Sequence, residues 1–351
     1  MKDNKPVVLY GAGNIGRDIL RVLSLRGITV VCFLDRKANH GDTVAGVPVY
    51  VPDDAAIDKT GYPVLISIFN RETNIVELAG QLRDWGYPSI YTIMNVYDSL
   101  SEDLGHRFWL APRAYYRSCK DDLVKVYDIW DDETSRHLYK SIIEFRMKGD
   151  YSVLPDPHPK PYFPGDLPAW KQPMRVIDAG AYDGDTIRDM MQTTYPIEAI
   201  AAFEPEPGNF AKLSKFVASN PSKLGPNVSL YPCAVWSAGK SLSFVSGQGE
   251  ASMISGKGEA TIQCVALDEV LPLFSPTLIK MDVEGAEYEA LTGAQHLIKK
   301  YKPGLAICLY HHPDHIWNIP LLIKNWSLGY KFYLRCHCYS TFELVLYAVQ
   351  E

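Results

Sequence analysis

The chain has 351 residues, of which 47% are hydrophobic and 22% are charged, and its formal net charge is −6. This length allows two domains with separate cores, and the acidic balance gives no reason to expect a nucleic-acid or anionic-membrane partner. No run of 18 apolar residues predicts a transmembrane helix, and the first residues lack the apolar core of a signal peptide.

The cysteines favour a reducing compartment. There are seven of them, an odd number, so we expect a cytoplasmic protein with reduced thiols. Four stand in apolar runs, where a thiol acts as a small core hydrophobe: Cys32, Cys233, Cys264 and Cys308. The local cluster Cys336-His337-Cys338 lacks a second ligand pair, which favours ordinary packing over a zinc site.

A glycine pattern follows the first apolar run, residues 6–10. The pattern G-x-G-x-x-G is formed by Gly11, Gly13 and Gly16. A helical periodicity and a second strand, Thr29 to Leu34, come next, and Asp35 ends that strand. Two interpretations stay open: the helix N-terminus holds a pyrophosphate while Asp35 binds ribose hydroxyls, or the glycines serve packing alone.

The same half continues with strands and one helix. Strands are predicted at 46–50, 63–68 and 90–93, and a helix at 74–85. The half resembles the N-terminal domain of nucleotide-sugar acetyltransferases, on the segments Phe33-Leu34-Asp35 and Gly46-Val47-Pro48. The resemblance implies a Rossmann-like domain over residues 1–95 that helps to bind a nucleotide sugar. The glycine pattern and Asp35 make NAD the other expected ligand.

A connector is predicted over residues 96–173. One amphipathic helix carries Leu123, Val126, Tyr127 and Trp130 on one face, and another runs from 132 to 149. Seven prolines between 150 and 173 predict an extended segment. Its aromatic pair, Tyr162-Phe163, either lines a ligand pocket or plugs a hydrophobic seam.

From Met174 the pattern alternates strand and helix, which predicts a doubly wound, mainly parallel α/β sheet over residues 174–351. Strands are predicted at 175–178, 197–203, 228–233, 278–281 and 305–310, with a closing pair at 330–336 and 344–349. Helices are predicted at 186–194, 209–218, 287–300 and 316–326. A β-rich insertion has strands at 241–245 and 260–265, with a Gly/Ser-rich turn, 246–258, between them.

Polar residues follow four of these strands, where ligands of such sheets bind. The first strand leads into a glycine turn that contains acids, which favours a ligand with cationic groups such as S-adenosylmethionine. Glu204 is placed to accept the ribose hydroxyls. The expected cofactor-binding residues are Asp178, Gly180, Ala181, Tyr182, Asp183, Gly184, Thr186, Glu204 and Asp282.

The C-terminal half resembles the FkbM-family methyltransferases. The resemblance rests on residues 176–186, on Ala202-Phe203-Glu204-Pro205, on Leu267-Asp268-Glu269 and on the most specific run, 278–287 (LIKMDVEGAE). It implies a class I methyltransferase fold that uses S-adenosylmethionine. It also implies O-methylation of a hydroxyl on a sugar, a glycoconjugate or a polyketide-like natural product.

The catalytic step needs a base for the acceptor hydroxyl. His311 is the first choice, since histidine titrates near neutral pH, and Asp282 is the second. Asp282, Glu284 and His311 are also able to hold Mg²⁺, although no spacing requires a metal. Lys280, Glu284 and Arg335 are the candidate acceptor contacts; alternatively, Lys280 and Arg335 pair with Glu284 and Glu287.

Two other functions stay open at this stage. The first is an NAD-dependent oxidoreductase centred on the N-terminal glycine turn, and the second is a nucleotide-sugar-binding protein. The favoured function is an O-methyltransferase with a carbohydrate-like small-molecule acceptor and no nucleic-acid partner. A homo-oligomer is compatible with the sequence, which does not identify the acceptor.

Overall fold

Alternating apolar strands and amphipathic helices build a parallel sheet in each of two units. The structure, a computed structural model, describes residues 5–54, 57–105, 107–245, 253–254 and 260–350. Unit 1 comprises Met1–Lys120, Leu138–Pro157 and Cys338–Phe342, and unit 2 comprises Asp121–His137, His158–His337 and Glu343–Glu351. The segment predicted as a connector, 96–173, is therefore divided between the two units.

Unit 1 is a small doubly wound domain. Its strands are β1 (Val7–Tyr10), β2 (Val30–Leu34), β3 (Thr43–Val44), β4 (Val47–Tyr50), β5 (Val64–Ile66) and β6 (Ile90–Thr92). Its helices are α1 (Asn14–Leu25), α2 (Ile75–Asp84), α3 (Ile93–Leu104) and α4 (Arg113–Ser118). These six described strands pair in the order β3-β4-β2-β1-β5-β6, with only β3 antiparallel to its neighbour.

Local signals explain these elements. Helix α1 buries Ile19, Val22 and Leu23 on the face that its periodicity predicts. Helix α2 begins after Asn74, whose side chain accepts hydrogen bonds from the N–H groups of Val76 and Glu77. Two more helices follow α4: α5 (Lys120–Tyr127) and α6 (Glu133–Lys148). A 3₁₀ turn at Tyr151–Val153 comes before the Pro-rich segment.

Unit 2 contains the larger sheet. Its strands are β7 (Met174–Ala179), β8 (Ile197–Phe203), β9 (Asn227–Tyr231), β10 (Ala234–Val235), β11 (Lys240–Val245), β12 (Met253–Ile254), β13 (Ala260–Val265), β14 (Leu278–Met281), β15 (Gly304–Cys308), β16 (Lys331–Cys336) and β17 (Leu344–Val349). Its helices are α7 (Asp185–Met190), α8 (Pro207–Ala218), α9 (Leu267–Val270), α10 (Glu287–Thr292), α11 (Gln295–Tyr301) and α12 (His315–Asn325). A 3₁₀ turn, Tyr339–Thr341, lies between the last two strands and belongs to unit 1.

Seven described strands of unit 2 form the main sheet in the order β16-β17-β15-β14-β7-β8-β9. Only β17 runs against its neighbours, so the predicted doubly wound, mainly parallel sheet and its closing strand pair are confirmed. A second sheet has the order β10-β13-β11-β12. Most of the predicted Gly/Ser-rich turn, 246–252 and 255–258, lies outside the described residues.

Two local predictions that concern unit 2 are wrong. The helix predicted over 287–300 is two helices, α10 and α11, because the backbone of Gly293 packs against Trp236. A Cβ on Gly293 would lie 2.0 Å from the Trp236 carbonyl oxygen, and the Gly293 carbonyl accepts a hydrogen bond from Asp268 N–H at 2.9 Å. Trp130 lies beyond the end of α5 and bridges to Phe332 instead of extending that helix.

The sheet of unit 2 places its polar strand ends at one edge. Strands β7, β8, β14 and β15 are parallel neighbours, so their carboxyl ends lie together. Strands β14 and β15 are buried along their whole length, and the polar groups here are Lys280 within β14 and the residues that follow the two strands. Within the described residues, no helix is long and apolar enough to cross a membrane.

Candidate active site at the carboxyl ends of the central strands

The glycine turn after β7 is fixed by the two adjacent strands. The N–H groups of Gly180 and Ala181 both donate to the carbonyl of Phe203, at 3.0 Å each. Gly180 has a φ of 78°, and a Cβ there would lie 1.8 Å from the Asp282 carbonyl oxygen. Only glycine fits this close approach, so the turn and the end of β14 form one rigid unit.

A buried ion pair lies below the turn. Lys280 Nζ is 3.1 Å from Asp178 Oδ1, with the two side chains 2% and 0% exposed, and it donates to the Gly180 carbonyl at 2.5 Å. Burial raises the pKa of Asp178 to about 6, although Lys280 opposes the shift. Burial by itself would lower the pKa of Lys280, but the nearby carboxylates, Asp178 first, hold it above its usual value.

The Asp178 carboxylate carries unused acceptor capacity. Apart from the Lys280 ammonium, 3.1 Å from Oδ1, no residue that the structure describes donates to its oxygens. A buried carboxylate in this state is costly unless another donor reaches it.

Glu204 orients the turn from the end of β8. Its Oε2 accepts the N–H of Tyr182 at 2.9 Å, and its Oε1 accepts the N–H of Glu206 at 2.8 Å. Tyr182 has a φ of 46°, an unusual value for a large side chain. Burial raises the pKa of Glu204 to about 7. Each oxygen keeps a second lone pair that is able to accept a ribose hydroxyl. The ribose contact itself stays a prediction.

The remaining predicted cofactor residues lie at the start of α7. Gly184, with a φ of 92°, is the residue that comes just before the helix. Asp183 forms a salt bridge with Arg188, which fixes the turn from its outer side. Thr186 is buried, and its hydroxyl has no hydrogen-bond partner among the described residues.

The Asp282 carboxylate accepts hydrogen bonds from two phenolic hydroxyls. Its Oδ2 accepts the Tyr162 hydroxyl at 3.0 Å, and its Oδ1 accepts the Tyr310 hydroxyl at 3.2 Å. The Tyr310 hydroxyl is also 3.3 Å from Glu343 Oε1. Burial raises the pKa of both phenols well above the usual value, so they stay neutral donors. The Asp282 side chain is 20% exposed.

His311 lies among three carboxylates. Its Nδ1 is 2.8 Å from Glu287 Oε1, and its Nε2 is 3.4 Å from both Asp282 Oδ1 and Glu284 Oε2. Burial opposes the charged ring, but these carboxylates, Glu287 first, raise the pKa of His311 to about 10. The imidazolium is therefore the main form at neutral pH.

The pKa values of Glu284 and Glu287, which both lie beside His311, are shifted in opposite directions. Burial raises the pKa of Glu284 to about 8, with His311 opposing. Burial would also raise that of Glu287, but His311 and His315 outweigh it and bring the pKa below its usual range. Glu287 Oε1 also accepts the Val283 N–H at 2.9 Å, so its carboxylate holds the turn after β14.

The candidate acceptor contacts separate in the structure. Glu284 lies beside His311, whereas Lys280 faces the glycine turn. Arg335 is 2% exposed and binds Asp132 at 2.6 Å and Asp166 at 2.8 Å. The alternative pairing of Lys280 and Arg335 with Glu284 and Glu287 is therefore wrong, because nearer carboxylates take both cations.

The Mg²⁺ expectation gains no support from the site. Asp282, Glu287 and His311 each place one possible ligand atom within 4.8 Å of the others. However, His311 Nδ1 and Glu287 Oε1 are hydrogen-bonded to each other at 2.8 Å, so each already has a partner within the protein.

Sequence reasoning missed one residue of this site and left another open. Tyr162 is open between a ligand pocket and a hydrophobic seam, and its contact with Asp282 brings it to the site. Glu343 carried no signal, because it is a single acid between two segments that are distant from β14 in sequence.

Unit 1 has a cavity of about 450 Å³ beyond the carboxyl ends of β1, β2 and β5. Asp35 lines it, but its oxygens accept the N–H groups of Ala12, at 3.1 Å, and Lys37, at 2.9 Å. A Cβ on Gly16 would lie 2.0 Å from the Gly11 carbonyl oxygen, whereas one on Gly13 would meet open space. Packing therefore accounts for Gly16 and not for Gly13.

The chain has an α/β fold of the class I methyltransferase type. It is similar to the crystal structure of methyltransferase FkbM from Methylobacillus flagellatus KT, with a TM-score of 0.79 and 19% sequence identity. The similarity covers 98% of this chain and 90% of that one.

The family model of the methyltransferase FkbM domain matches residues 178–332. Residues 178–332 therefore form an FkbM methyltransferase domain, and the protein is a methyltransferase. The matched segment contains Asp178, Glu204, Asp282 and His311. The resemblance of unit 1 to acetyltransferase domains stays a prediction.

Other similarities are weaker. Fibrillarin from Aeropyrum pernix, solved with bound S-adenosyl-L-methionine, is 11% identical, with a TM-score of 0.31 over 51% of this chain and 67% of that one. An rRNA methylase from Streptococcus thermophilus is 12% identical, with a TM-score of 0.30 over 52% of this chain and 90% of that one. Both TM-scores are too low to show a common fold. No curated protein matches the chain significantly.

Proposed function

We propose that the protein is an S-adenosylmethionine-dependent O-methyltransferase that acts on a hydroxyl of a carbohydrate-like small molecule. One observation carries the proposal: the glycine turn after β7 packs directly against the end of β14. Donor-binding groups, Asp178 and Glu204, thereby lie next to a candidate proton acceptor, Asp282.

The donor fits the charge of the turn. S-adenosylmethionine has a cationic sulfonium and an amino group that donates hydrogen bonds. Among the described residues, only Lys280 contacts the oxygens of Asp178 within hydrogen-bond distance, so this carboxylate has capacity for a donor group of the ligand. The second lone pairs of the Glu204 oxygens suit the ribose hydroxyls.

The transfer is an in-line displacement. The acceptor oxygen attacks the methyl carbon, the carbon–sulfur bond breaks, and its electron pair stays on sulfur to give S-adenosylhomocysteine. The donor is already activated, so the protein mainly positions the two reactants. The acceptor proton must leave during this step.

Asp282 is the proton acceptor that the geometry favours. His311 was the first choice for this role, but its three carboxylate neighbours keep it as an imidazolium at neutral pH. An imidazolium has no lone pair for the proton, whereas it does stabilise the carboxylates beside it. We therefore assign the proton to Asp282 and charge stabilisation to His311.

The acidic surroundings favour a polyhydroxylated acceptor. Asp282, Glu284 and Glu343 lie near one another through Tyr310 and His311. Carboxyl oxygens accept hydrogen bonds from hydroxyl groups, and ionised carboxylates repel anionic groups. Glu284, whose pKa is about 8, is mainly protonated at neutral pH and acts by hydrogen bonding. A neutral or cationic sugar or glycoside is therefore a better acceptor than a phosphate or carboxylate.

The test is methyl transfer from labelled S-adenosylmethionine to a panel of sugars, nucleotide sugars, glycolipids and polyketide-like alcohols. Glu204→Gln should abolish labelling, and Asp282→Asn should lower it about a hundredfold, as expected for loss of a general base, which leaves a residual rate that can be measured. Glu198→Gln is the matched control, because Glu198 lies at the opposite end of β8 and pairs with Arg175. Labelling on nitrogen or carbon, no labelling at all, or equal labelling by Glu204→Gln and wild type would contradict the proposal.

The nucleotide ligand of unit 1 also stays a proposal. The observation in its favour is the cavity, which lies where the strand order of the sheet changes direction, between β1 and β5. Titrating the full chain with a UDP-sugar and with NAD tests it. Glu77→Lys, which reverses a charge of the cavity lining, should change the affinity of any nucleotide that binds there, and no binding of either compound would end the proposal.

A further inference from the structure

Tyr162 reaches Asp282 from outside the strand ends. Its hydroxyl donates to Asp282 Oδ2 at 3.0 Å, and its ring lies 5.3 Å from Lys280 Nζ. The residue is 5% exposed and has a φ of 62°. A bulky residue keeps such a backbone conformation only when its surroundings determine it.

The side chains of Tyr347 and Trp170 hold the backbone of Tyr162. The N–H of Tyr162 donates to the Tyr347 hydroxyl oxygen at 3.0 Å, and Trp170 Nε1–H donates to the Tyr162 carbonyl at 2.9 Å. The Tyr347 hydroxyl is in turn 2.8 Å from His337 Nε2. Both polar groups of the Tyr162 backbone are thereby fixed in a buried place.

The hydrogen bonds of this chain of residues have one consistent direction. His337 Nδ1 is 2.9 Å from the His158 carbonyl, so Nδ1 must carry a hydrogen. Burial lowers the pKa of His337 to about 4, which leaves Nε2 as an acceptor in the neutral ring. Tyr347 therefore donates to His337 and accepts from Tyr162, and every partner is satisfied.

These residues lie outside the matched family segment. The family model covers 178–332, whereas Tyr162 precedes it and His337 and Tyr347 follow it. The chain thus brings flanking segments to a residue of the domain's most specific run. Packing alone would be served by a Phe at position 162, which has the same ring and no hydroxyl to direct at a carboxylate.

We propose that Tyr162 is a positioning residue: its hydroxyl holds Asp282 Oδ2 so that the remaining lone pairs of the carboxylate face the acceptor hydroxyl. This inference rests on the proposed function, in which Asp282 accepts the acceptor proton. The Tyr162 proton is not transferred. It stays on the phenol oxygen and orients the carboxylate before and during methyl transfer.

The test compares Tyr162→Phe with Tyr330→Phe. Both substitutions remove a buried phenolic hydroxyl, but that of Tyr330 donates to the Pro303 carbonyl at 2.6 Å and touches no residue of the site. With the acceptor that gives most product in the panel, Tyr162→Phe should lower kcat about tenfold, as expected for a misplaced proton acceptor. The Kd for S-adenosylhomocysteine should change by less than about twofold, since Asp178 and Glu204 are intact.

A double-mutant cycle separates positioning from general damage. In the Asp282→Asn background, Tyr162→Phe should have little further effect on kcat, because the group that it positions is gone. Tyr330→Phe should leave kcat unchanged in both backgrounds. An unchanged kcat in Tyr162→Phe, or equal losses in both backgrounds, would overturn the inference.

Two further measurements keep the inference testable. If Tyr162→Phe does not fold, Tyr347→Phe removes the acceptor of the Tyr162 N–H and should lower kcat in the same way, and no loss there contradicts the proposal. If the panel yields no product, the proposed function fails. The coupling of Tyr162→Phe and Asp282→Asn in the free energy of unfolding then decides the inference, and strict additivity would overturn it.

Discussion

Gly180 and Asp282 belong to different strand ends, yet their backbones are in direct contact. A Cβ on Gly180 would lie 1.8 Å from the Asp282 carbonyl oxygen. Asp282 N–H also donates to the Ala179 carbonyl at 3.0 Å. The donor-side turn and the proposed proton acceptor are therefore placed by one contact, so a change in one displaces the other.

Gly180→Ala should lower both stability and donor affinity. The Cβ collides with a backbone atom, and the φ of 78° is unfavourable for alanine. We expect a loss of about 3 kcal/mol in the free energy of unfolding, measured by denaturant titration. Gly165→Ala is the control, since a Cβ there meets nothing within 4 Å. Equal stability of the two variants would contradict the importance of this contact.

Lys280→Met should be strongly destabilising. It leaves Asp178 buried without its cation, and removing one member of a buried pair costs about 3–5 kcal/mol. The matched control is Lys331→Met, because Lys331 pairs with Asp131 at 3.0 Å with 44% of its side chain exposed. Such surface pairs contribute less than about 1 kcal/mol. Chemical denaturation of both variants checks the difference, and similar losses would show that the Asp178 pair is not the cause.

The sequence predicted which residues meet at the strand ends because parallel strands share one edge. Asp178, Glu204, Asp282 and His311 follow four such strands, and strand order alone brings them together. It also predicted that the acids after β7 lie in a turn, since a glycine-rich segment between a strand and a helix is a local signal. These predictions needed only the periodicity of the chain.

The partners of these residues could not be predicted in the same way. Arg335 binds Asp132 and Asp166, and Tyr162 binds Asp282; both are contacts between segments more than a hundred residues apart. The protonation of His311 depends on three carboxylates around one ring. Such effects follow from tertiary packing, which no local pattern encodes.

Donor affinity should depend on the ionisation of Glu204. Burial raises the pKa of this carboxyl to about 7, and the ionised form accepts the ribose hydroxyls. The Kd of S-adenosylhomocysteine should therefore be lowest above pH 7 and should rise by up to about tenfold for each pH unit below it. Calorimetry between pH 5.5 and pH 8.5 measures this.

The matched variant for this titration is Glu204→Gln. Its affinity should be weaker and nearly independent of pH from 6.5 to 8.5, because the titrating group is gone. Glu198→Gln should keep the wild-type profile, since Glu198 lies at the other end of β8. A wild-type profile that is flat through pH 7 would contradict the assignment of Glu204 to the ligand.

The stability of unit 2 should fall as the imidazolium of His311 loses its proton. Its carboxylate neighbours raise the pKa in the folded protein to about 10, from an ordinary value of 6.5. A group whose folded pKa is raised stabilises the protein fully below its unfolded pKa, and this contribution disappears as the pH rises through the folded value. The loss should reach at most about 1.4 kcal/mol for each pH unit.

The window from pH 9 to pH 10 isolates this effect, because Glu284, with a folded pKa of about 8, is mostly ionised above pH 9. The free energy of unfolding of wild type, minus that of His311→Gln, should decrease across this window. His296→Gln is the control, since its side chain is 91% exposed, and its difference from wild type should stay constant. A constant difference for His311→Gln as well would mean that the ring is already neutral at pH 9, and His311 would then again be the better candidate for the base.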